Sequence, residues 1–276
     1  MPRAYSLAYL TTAPLAPPDA LQLAQKLGYQ MIGVRIAPAA PGGDFSPLIE
    51  DAALLRETVA QIKATGVTVY DVEIARLNAD FRVEQFRDFL ETAGKLGARA
   101  ILVAGDDPVE ERLTQSYAAF CDAARDYGLT ADLEFMPWTS VPDAKSALRI
   151  ATTADRPNGR VLIDALHAAR SSTTLADLAA IPRERLGYAQ LCDAPGEIPT
   201  TNEGLIHTAR CARLLPGEGG IDLVGILRQL PDDLPLSLEI PNDERLPVVG
   251  PEAWAREALA TARRVAARAA EQGETP

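Results

Sequence analysis

The chain has 276 residues, 47% of them hydrophobic, which is enough for one large domain with a sizeable core. Its 27 basic and 38 acidic side chains give a net charge of −11, which argues against a protein that binds nucleic acid through its phosphates. Three cysteines without a CxxC pair predict no disulfide framework. Because the sequence also lacks a signal-peptide pattern and an apolar stretch of roughly 20 residues, we expect a cytoplasmic protein with no membrane partner.

Eight short apolar runs alternate with amphipathic stretches along the chain. The runs cover residues 5–10, 31–36, 67–74, 98–105, 129–135, 159–164, 185–192 and 234–240. Helical patterns follow them or lie between them, at 17–28, 51–66, 82–97, 109–128, 140–154, 173–181, 220–230 and 251–272. The first three helical patterns end in glycine, a common helix stop.

This alternation predicts a parallel α/β fold with about 30 residues per strand–helix unit. A doubly wound open sheet also alternates in this way, but no glycine-rich phosphate loop follows the first strand. We therefore predict a single (β/α)8 TIM barrel over residues 1–270, followed by a polar tail at 271–276.

Polar side chains stand at the ends of predicted strands five to eight, where such barrels form their active sites. These side chains are Glu134, Asp164, Gln190 and Glu239. Several carboxylates buried together, with few cations nearby in sequence, require a positive neighbour. We therefore predict one divalent metal ion at this rim, although each residue alone has an ordinary alternative, such as an ion pair for a glutamate or a helix N-cap for Asp164.

The same segments resemble the xylose isomerase-like barrel superfamily of sugar isomerases, ketose 3-epimerases and related dehydratases. The segments that carry the resemblance are "LEFMPW" (133–138), "DALH" (164–167), "QLCD" (190–193), "LLPGEGGIDL" (214–223) and "LSLEIPND" (236–243). The resemblance implies that Glu134, Asp164, Gln190 and Glu239 hold the metal.

Gln190 departs from the pattern of this superfamily, because many members have histidine at its position. The amide makes the predicted ligand set all oxygen, which favours Mg²⁺ or Mn²⁺ over Zn²⁺. Glutamine at this position resembles the 3-dehydroshikimate dehydratase-like branch.

The resemblance implies an isomerase or epimerase of carbohydrate metabolism that acts on a sugar or sugar-like hydroxy-carbonyl compound through an enediolate. Glu134 and Glu239 would transfer the proton. If a hydroxyl group leaves instead, the reaction becomes a dehydration, with His167 as acid or base. An equal alternative for His167 is to orient Asp164. DNA-repair endonucleases share the barrel but bind three zinc ions with many histidines, whereas this chain has two. A non-catalytic binding barrel remains the alternative from another class.

Candidate substrate-binding residues lie near the same rim. They are Arg213, Arg210, Arg35, Trp138 and Glu73. The arginines could hold substrate oxygens or form structural ion pairs, and Trp138 could pack against the substrate or close the barrel. Glu73 could instead support a neighbouring polar side chain. The expected partner is a small sugar-like molecule, and a homo-oligomer stays open because no contact face can be recognised.

Overall fold

The strands close into one barrel. A computed structural model describes residues 3–13 and 15–271, and its eight parallel strands follow one another in chain order until β8 pairs with β1. The strands are β1 (Tyr5–Leu7), β2 (Met31–Arg35), β3 (Thr68–Leu77), β4 (Ala100–Gly105), β5 (Thr130–Glu134), β6 (Gly159–Asp164), β7 (Leu186–Leu191) and β8 (Leu236–Leu238). The predicted (β/α)8 fold is therefore confirmed, while only Glu271 of the predicted tail falls within the described residues.

Helices surround this barrel. They are α1 (Tyr9–Thr12), α2 (Pro17–Leu27), α3 (Ala52–Thr65), α4 (Arg87–Lys95), α5 (Glu110–Arg125), α6 (Ala144–Ala154), α7 (Ala165–Arg170), α8 (Leu175–Ala179), α9 (Asn202–Cys211), α10 (Leu223–Arg228), α11 (Leu246–Val249) and α12 (Pro251–Glu271). Gly28 and Gly66 end α2 and α3 with φ of 86° and 73°, a conformation that favours glycine. Within the described ranges, no helix is both long and apolar enough to cross a membrane.

Several segments differ from the sequence-based expectation, since α1, α7, α9 and α11 lie outside the eight predicted helical patterns. The first strand ends at Leu7 instead of residue 10, because the chain then turns into α1. The Thr11 hydroxyl donates to the Leu238 carbonyl at 2.6 Å and accepts from the Ile240 N–H at 2.8 Å, which ties this turn to β8. The long segment after β7 contains α9, whose N-cap residue Thr201 accepts a hydrogen bond from a backbone N–H.

The barrel interior holds both apolar side chains and buried polar ones, among them Asp71 and Asp132. Met31, Leu102, Leu162 and other buried side chains form the inner cluster, while a larger cluster fills the space between sheet and helices. Polar residues on neighbouring strands are paired near the rim: Asp164 pairs with Gln190, and Gln190 pairs with Ser237. The register therefore brings the ends of β6, β7 and β8 to one place. All three cysteines are free, as predicted.

Candidate functional site

The structure places all four predicted metal ligands at the C-terminal ends of β5 to β8. Glu134 and Asp164 are the last residues of β5 and β6, Gln190 lies near the end of β7, and Glu239 directly follows β8. All four side chains are buried. Strand periodicity explains this placement, because residues paired across parallel strands face the same side of the sheet.

Arg213 lies between two of these carboxylates. Its Nη1 donates to Asp164 Oδ2 at 2.6 Å and its Nη2 lies 2.8 Å from Glu239 Oε2. The Nε donates to the Ala209 carbonyl at 2.7 Å, so the guanidinium is fixed at the carboxyl end of α9. Arg213 is 2% exposed, and in this structure it supplies the counter-charge of both acids.

His167 contacts two of the clustered carboxyl groups, those of Asp164 and Glu134. Its backbone N–H and that of Leu166 donate to Asp164 Oδ1, so Asp164 is also the N-cap of α7. Its Nε2 lies 3.6 Å from Glu134 Oε1, and its ring meets that of Trp138 edge-on with centroids 5.0 Å apart. Burial lowers the pKa of His167 to about 4, so the imidazole is neutral near pH 7.

The buried acids differ in their protonation. Burial and the neighbouring Asp164 and Glu239 raise the pKa of Glu134 well above its usual value. Burial raises the pKa of Glu239 to about 7, although Arg213 opposes the shift. Burial alone would raise the pKa of Asp164 too, but Arg213 and His167 together outweigh it and the net shift is downward. Asp164 therefore stays ionised, while the two glutamates readily take up protons.

A second ion pair lies at the ends of β2 and β3. Arg35 donates to Glu73 Oε2 from Nη2 at 2.7 Å and from Nε at 3.0 Å, and it also lies over the Tyr9 ring at 5.1 Å. Glu73 is fully buried and its Oε1 has no hydrogen-bond partner within the described part of the chain. Glu73 therefore contacts a neighbouring polar side chain, Arg35, which matches the alternative to substrate binding that its sequence position allowed.

The donor set fits a divalent cation. One ligand atom from each of Glu134, Asp164 and His167 lies within 4.8 Å of the others. Both side-chain atoms of Gln190 are buried without a hydrogen-bond partner among the described residues, which is costly unless a ligand engages them. His167 offers a nitrogen donor beside these oxygen donors. The all-oxygen ligand set that favours Mg²⁺ or Mn²⁺ therefore requires that Gln190, and not His167, binds the cation.

The charges at the rim lead to the same conclusion. Four acids lie there, Glu73, Glu134, Asp164 and Glu239, against two arginines, Arg35 and Arg213, which leaves 4 − 2 = 2 negative charges when all are ionised. A divalent cation balances this excess, whereas without one the carboxyl groups must bind protons.

Asp193 fixes the glycine-rich loop that follows α9. Its Oδ2 accepts from the N–H groups of Gly217 and Gly219, and its Oδ1 accepts from Ile221 at 3.1 Å. A Cβ on Gly219 would lie 2.2 Å from the Ala194 carbonyl oxygen, so this position requires glycine. These hydrogen bonds join the "QLCD" segment to the "LLPGEGGIDL" segment, which directly follows Arg213 in the chain.

A cavity of about 200 Å³ opens on this cluster. Its lining includes seven of the residues that the sequence singled out: Glu134, Glu239, His167, Arg35, Trp138, Arg210 and Arg213. Arg76 also lines the cavity, and the sequence analysis missed it. Its position next to the end of β3 was the available signal, because the same rule located the acids on β5 to β8.

The family model described as xylose isomerase-like TIM barrel matches residues 21–265. The 3-dehydroshikimate dehydratase of Pseudomonas aeruginosa is 29% identical over 120 residues, which is 42% of this chain but only 18% of that protein. The match therefore covers a small part of this relative.

Solved structures show the same fold at low sequence identity. A xylose isomerase-like TIM barrel/4-hydroxyphenylpyruvate dioxygenase fusion protein has a TM-score of 0.79 at 19% identity over 95% of this chain and 42% of that one. The IolI protein with a bound zinc atom has a TM-score of 0.77 at 20% identity over 96% and 98% of the two chains. The D-allulose 3-epimerase of Methylomonas sp. has a TM-score of 0.71 at 14% identity over 96% and 98%.

Proposed function

This chain belongs to the xylose isomerase-like TIM barrel family, and on that premise we propose that it is a divalent-metal-dependent isomerase or epimerase of a sugar or sugar-like hydroxy-carbonyl compound. The observation that carries the proposal is that two buried glutamates, Glu134 and Glu239, line one cavity from different strands of the barrel. The D-allulose 3-epimerase and other epimerases with the same fold support this reaction class.

Proton transfer is the task assigned to the two glutamates. The pKa of Glu239 is raised to about 7 by burial, and burial also raises that of Glu134. A carboxyl group whose pKa lies near the working pH is well suited to general acid–base catalysis. One glutamate removes the proton next to the substrate carbonyl and the other returns a proton to the opposite face, which inverts that carbon through an enediolate.

The other residues of the site bind and orient the substrate. A divalent cation held by Glu134, Asp164, Gln190 and Glu239 would acidify the C–H bond and stabilise the negative charge that develops on the substrate oxygen. Arg213, which lines the cavity, can donate hydrogen bonds to a substrate oxygen. Trp138 offers an apolar surface beside it.

A dehydratase is the second candidate, favoured by the match to 3-dehydroshikimate dehydratase and by Gln190. It would begin with the same proton removal by a glutamate; the hydroxyl group on the carbon next to the carbanion would then take a proton from that glutamate, and its C–O bond would break to release water. His167, neutral at pH 7, is the other candidate for carrying this proton, as base in the first step and as acid in the second. A barrel that binds without turnover is the remaining candidate.

Exchange with solvent deuterium separates these functions. Ketoses, inososes and 3-dehydroshikimate would be incubated in D₂O with protein loaded with Mg²⁺ or Mn²⁺ and analysed by mass spectrometry. Glu239→Gln and Glu134→Gln would be compared with Glu110→Gln, which alters an exposed glutamate paired with Arg149 outside the cavity.

Each outcome selects one function. Deuterium gained without loss of water, and lost in the two site variants only, would establish the isomerase or epimerase. Loss of water would establish the dehydratase. Binding of a compound without exchange in any panel member would refute both reactions and leave the binding barrel.

A further inference from the structure

Arginines are concentrated in the cavity. Four of them line it, Arg35, Arg76, Arg210 and Arg213, beside two glutamates, Glu134 and Glu239. The whole chain carries −11. In a protein where acids outnumber bases, this concentration of guanidinium groups in the cavity is a local feature that needs a cause.

Two of these arginines are explained by buried acids. Arg35 pairs with Glu73, and Arg213 pairs with Asp164 and Glu239. They stabilise the acidic rim and would be needed whatever the substrate is. Their presence alone therefore says nothing about the charge of the substrate.

Arg76 and Arg210 are different. Arg76 pairs with Asp106, but its Nε is buried and has no hydrogen-bond partner among the described residues. Arg210 lies in the last turn of α9, is exposed, and forms no side-chain hydrogen bond or ion pair within the described ranges. Both residues nevertheless line the cavity that holds Glu134 and Glu239. A guanidinium group offers a planar set of donors that matches a carboxylate or a phosphate group.

We propose that the substrate of this site carries an anionic group, a carboxylate or a phosphate, which Arg210 and Arg76 bind while the hydroxy-carbonyl part of the molecule lies at Glu134 and Glu239. Only the placement of the hydroxy-carbonyl part at Glu134 and Glu239 rests on the proposed function, and the anion site does not. The cavity volume of about 200 Å³ is below the roughly 300–1,000 Å³ of pockets for drug-sized ligands, so the anion must be small.

Pairs of compounds that differ only in the anionic group test the proposal. 3-Dehydroshikimate would be compared with its methyl ester, and D-fructose 6-phosphate with D-fructose. Binding to Mn²⁺-loaded protein would be measured by calorimetry, and deuterium exchange or water loss would be measured separately. Arg210→Gln and Arg76→Gln would be compared with Arg183→Gln, which alters an exposed arginine outside the cavity.

The expected result is tighter binding of one anionic member than of its neutral partner. Loss of one charge-assisted contact should weaken that binding by about 10- to 100-fold in the Arg210 and Arg76 variants, raising KM more than it lowers kcat. The affinity for the neutral partner should fall less in these variants, and Arg183→Gln should bind both members of a pair as the wild type does. The pair that shows the preference for its anionic member identifies the group as a carboxylate or a phosphate.

Two results would overturn the proposal. One is equal or tighter binding of both neutral members, and the other is unchanged anion binding in both the Arg210 and Arg76 variants, with folding verified by circular dichroism. Arginine-dependent anion binding without exchange or water loss would instead contradict the proposed function and leave the anion site standing.

Discussion

Replacing Arg213 by methionine tests whether this guanidinium and a divalent cation serve the same carboxylates. Arg213 is buried and donates to both Asp164 and Glu239. Methionine keeps the apolar volume and removes the charge, which leaves two buried acids without their partner. Breaking a buried ion pair in this way costs about 3–5 kcal/mol. We expect a loss of that size in the free energy of unfolding of metal-free Arg213→Met.

A divalent cation should return much of this loss. At about 100 times its dissociation constant, a ligand stabilises the folded state by about 2.7 kcal/mol. The variant should gain more from Mn²⁺ than the wild type does, because no guanidinium competes for Asp164 and Glu239. The measurement is urea unfolding of both proteins in a chelator and in saturating Mn²⁺.

The exposed pair between Arg183 and Asp233 supplies the control. Its partners are 51% and 66% exposed, so Arg183→Met should cost no more than about 1 kcal/mol with or without metal. A stabilisation of Arg213→Met by Mn²⁺ no greater than that of wild type would contradict this prediction, as would a metal-free Arg213→Met that is as stable as the control.

Three further predictions concern the barrel, the loop and pH. A Cβ on Gly187 would lie 1.6 Å from Asp132 Oδ2, so Gly187→Ala should lower the free energy of unfolding, measured with urea, by about 1–3 kcal/mol, whereas Gly196→Ala, with its nearest atom at 3.9 Å, should be neutral. Asp193→Ala should speed hydrogen exchange at residues 217–221 without unfolding the barrel, since it removes three backbone hydrogen bonds to that loop. Burial raises the pKa of Asp132 to about 6 and that of Glu239 to about 7, and it raises those of Asp71 and Glu134, whereas it lowers that of His167 to about 4. Four raised acids against one lowered histidine make the folded state bind more protons than the unfolded chain, so metal-free stability should fall from about pH 4 to about pH 7, and a flat profile would contradict this.

The fold could be predicted from the sequence because its signals are local. Strand and helix patterns alternate eight times, and glycines such as Gly28 and Gly66 end helices by their own backbone preference. Glu134 and Glu239 could be recognised as site residues because burying an acid in an otherwise apolar strand is costly. In a parallel barrel the C-terminal ends of all strands also lie at the same rim.

The contacts within the site could not be predicted, because they join residues far apart in sequence. The hydrogen bond from Arg213 to Asp164 spans 49 positions, and that from Thr11 to Leu238, which shortens β1, spans 227. The side-chain amide of Gln190 has no hydrogen-bond partner among the described residues, and this too depends on how the barrel packs. Arg76 could have been predicted from its place near the end of β3.

Protons and a divalent cation compete for the same excess of negative charge at this rim. Asp164 is held ionised, whereas the raised pKa values of Glu134 and Glu239 favour protonation of these two side chains in the absence of metal. These are also the two glutamates proposed to transfer the substrate proton. Metal binding and proton transfer would thus draw on one pair of carboxyl groups, whereas a substrate anion at Arg210 would bind a guanidinium group that forms no ion pair with them. The anionic end of a substrate could then be recognised without removing the ion pairs of the rim acids.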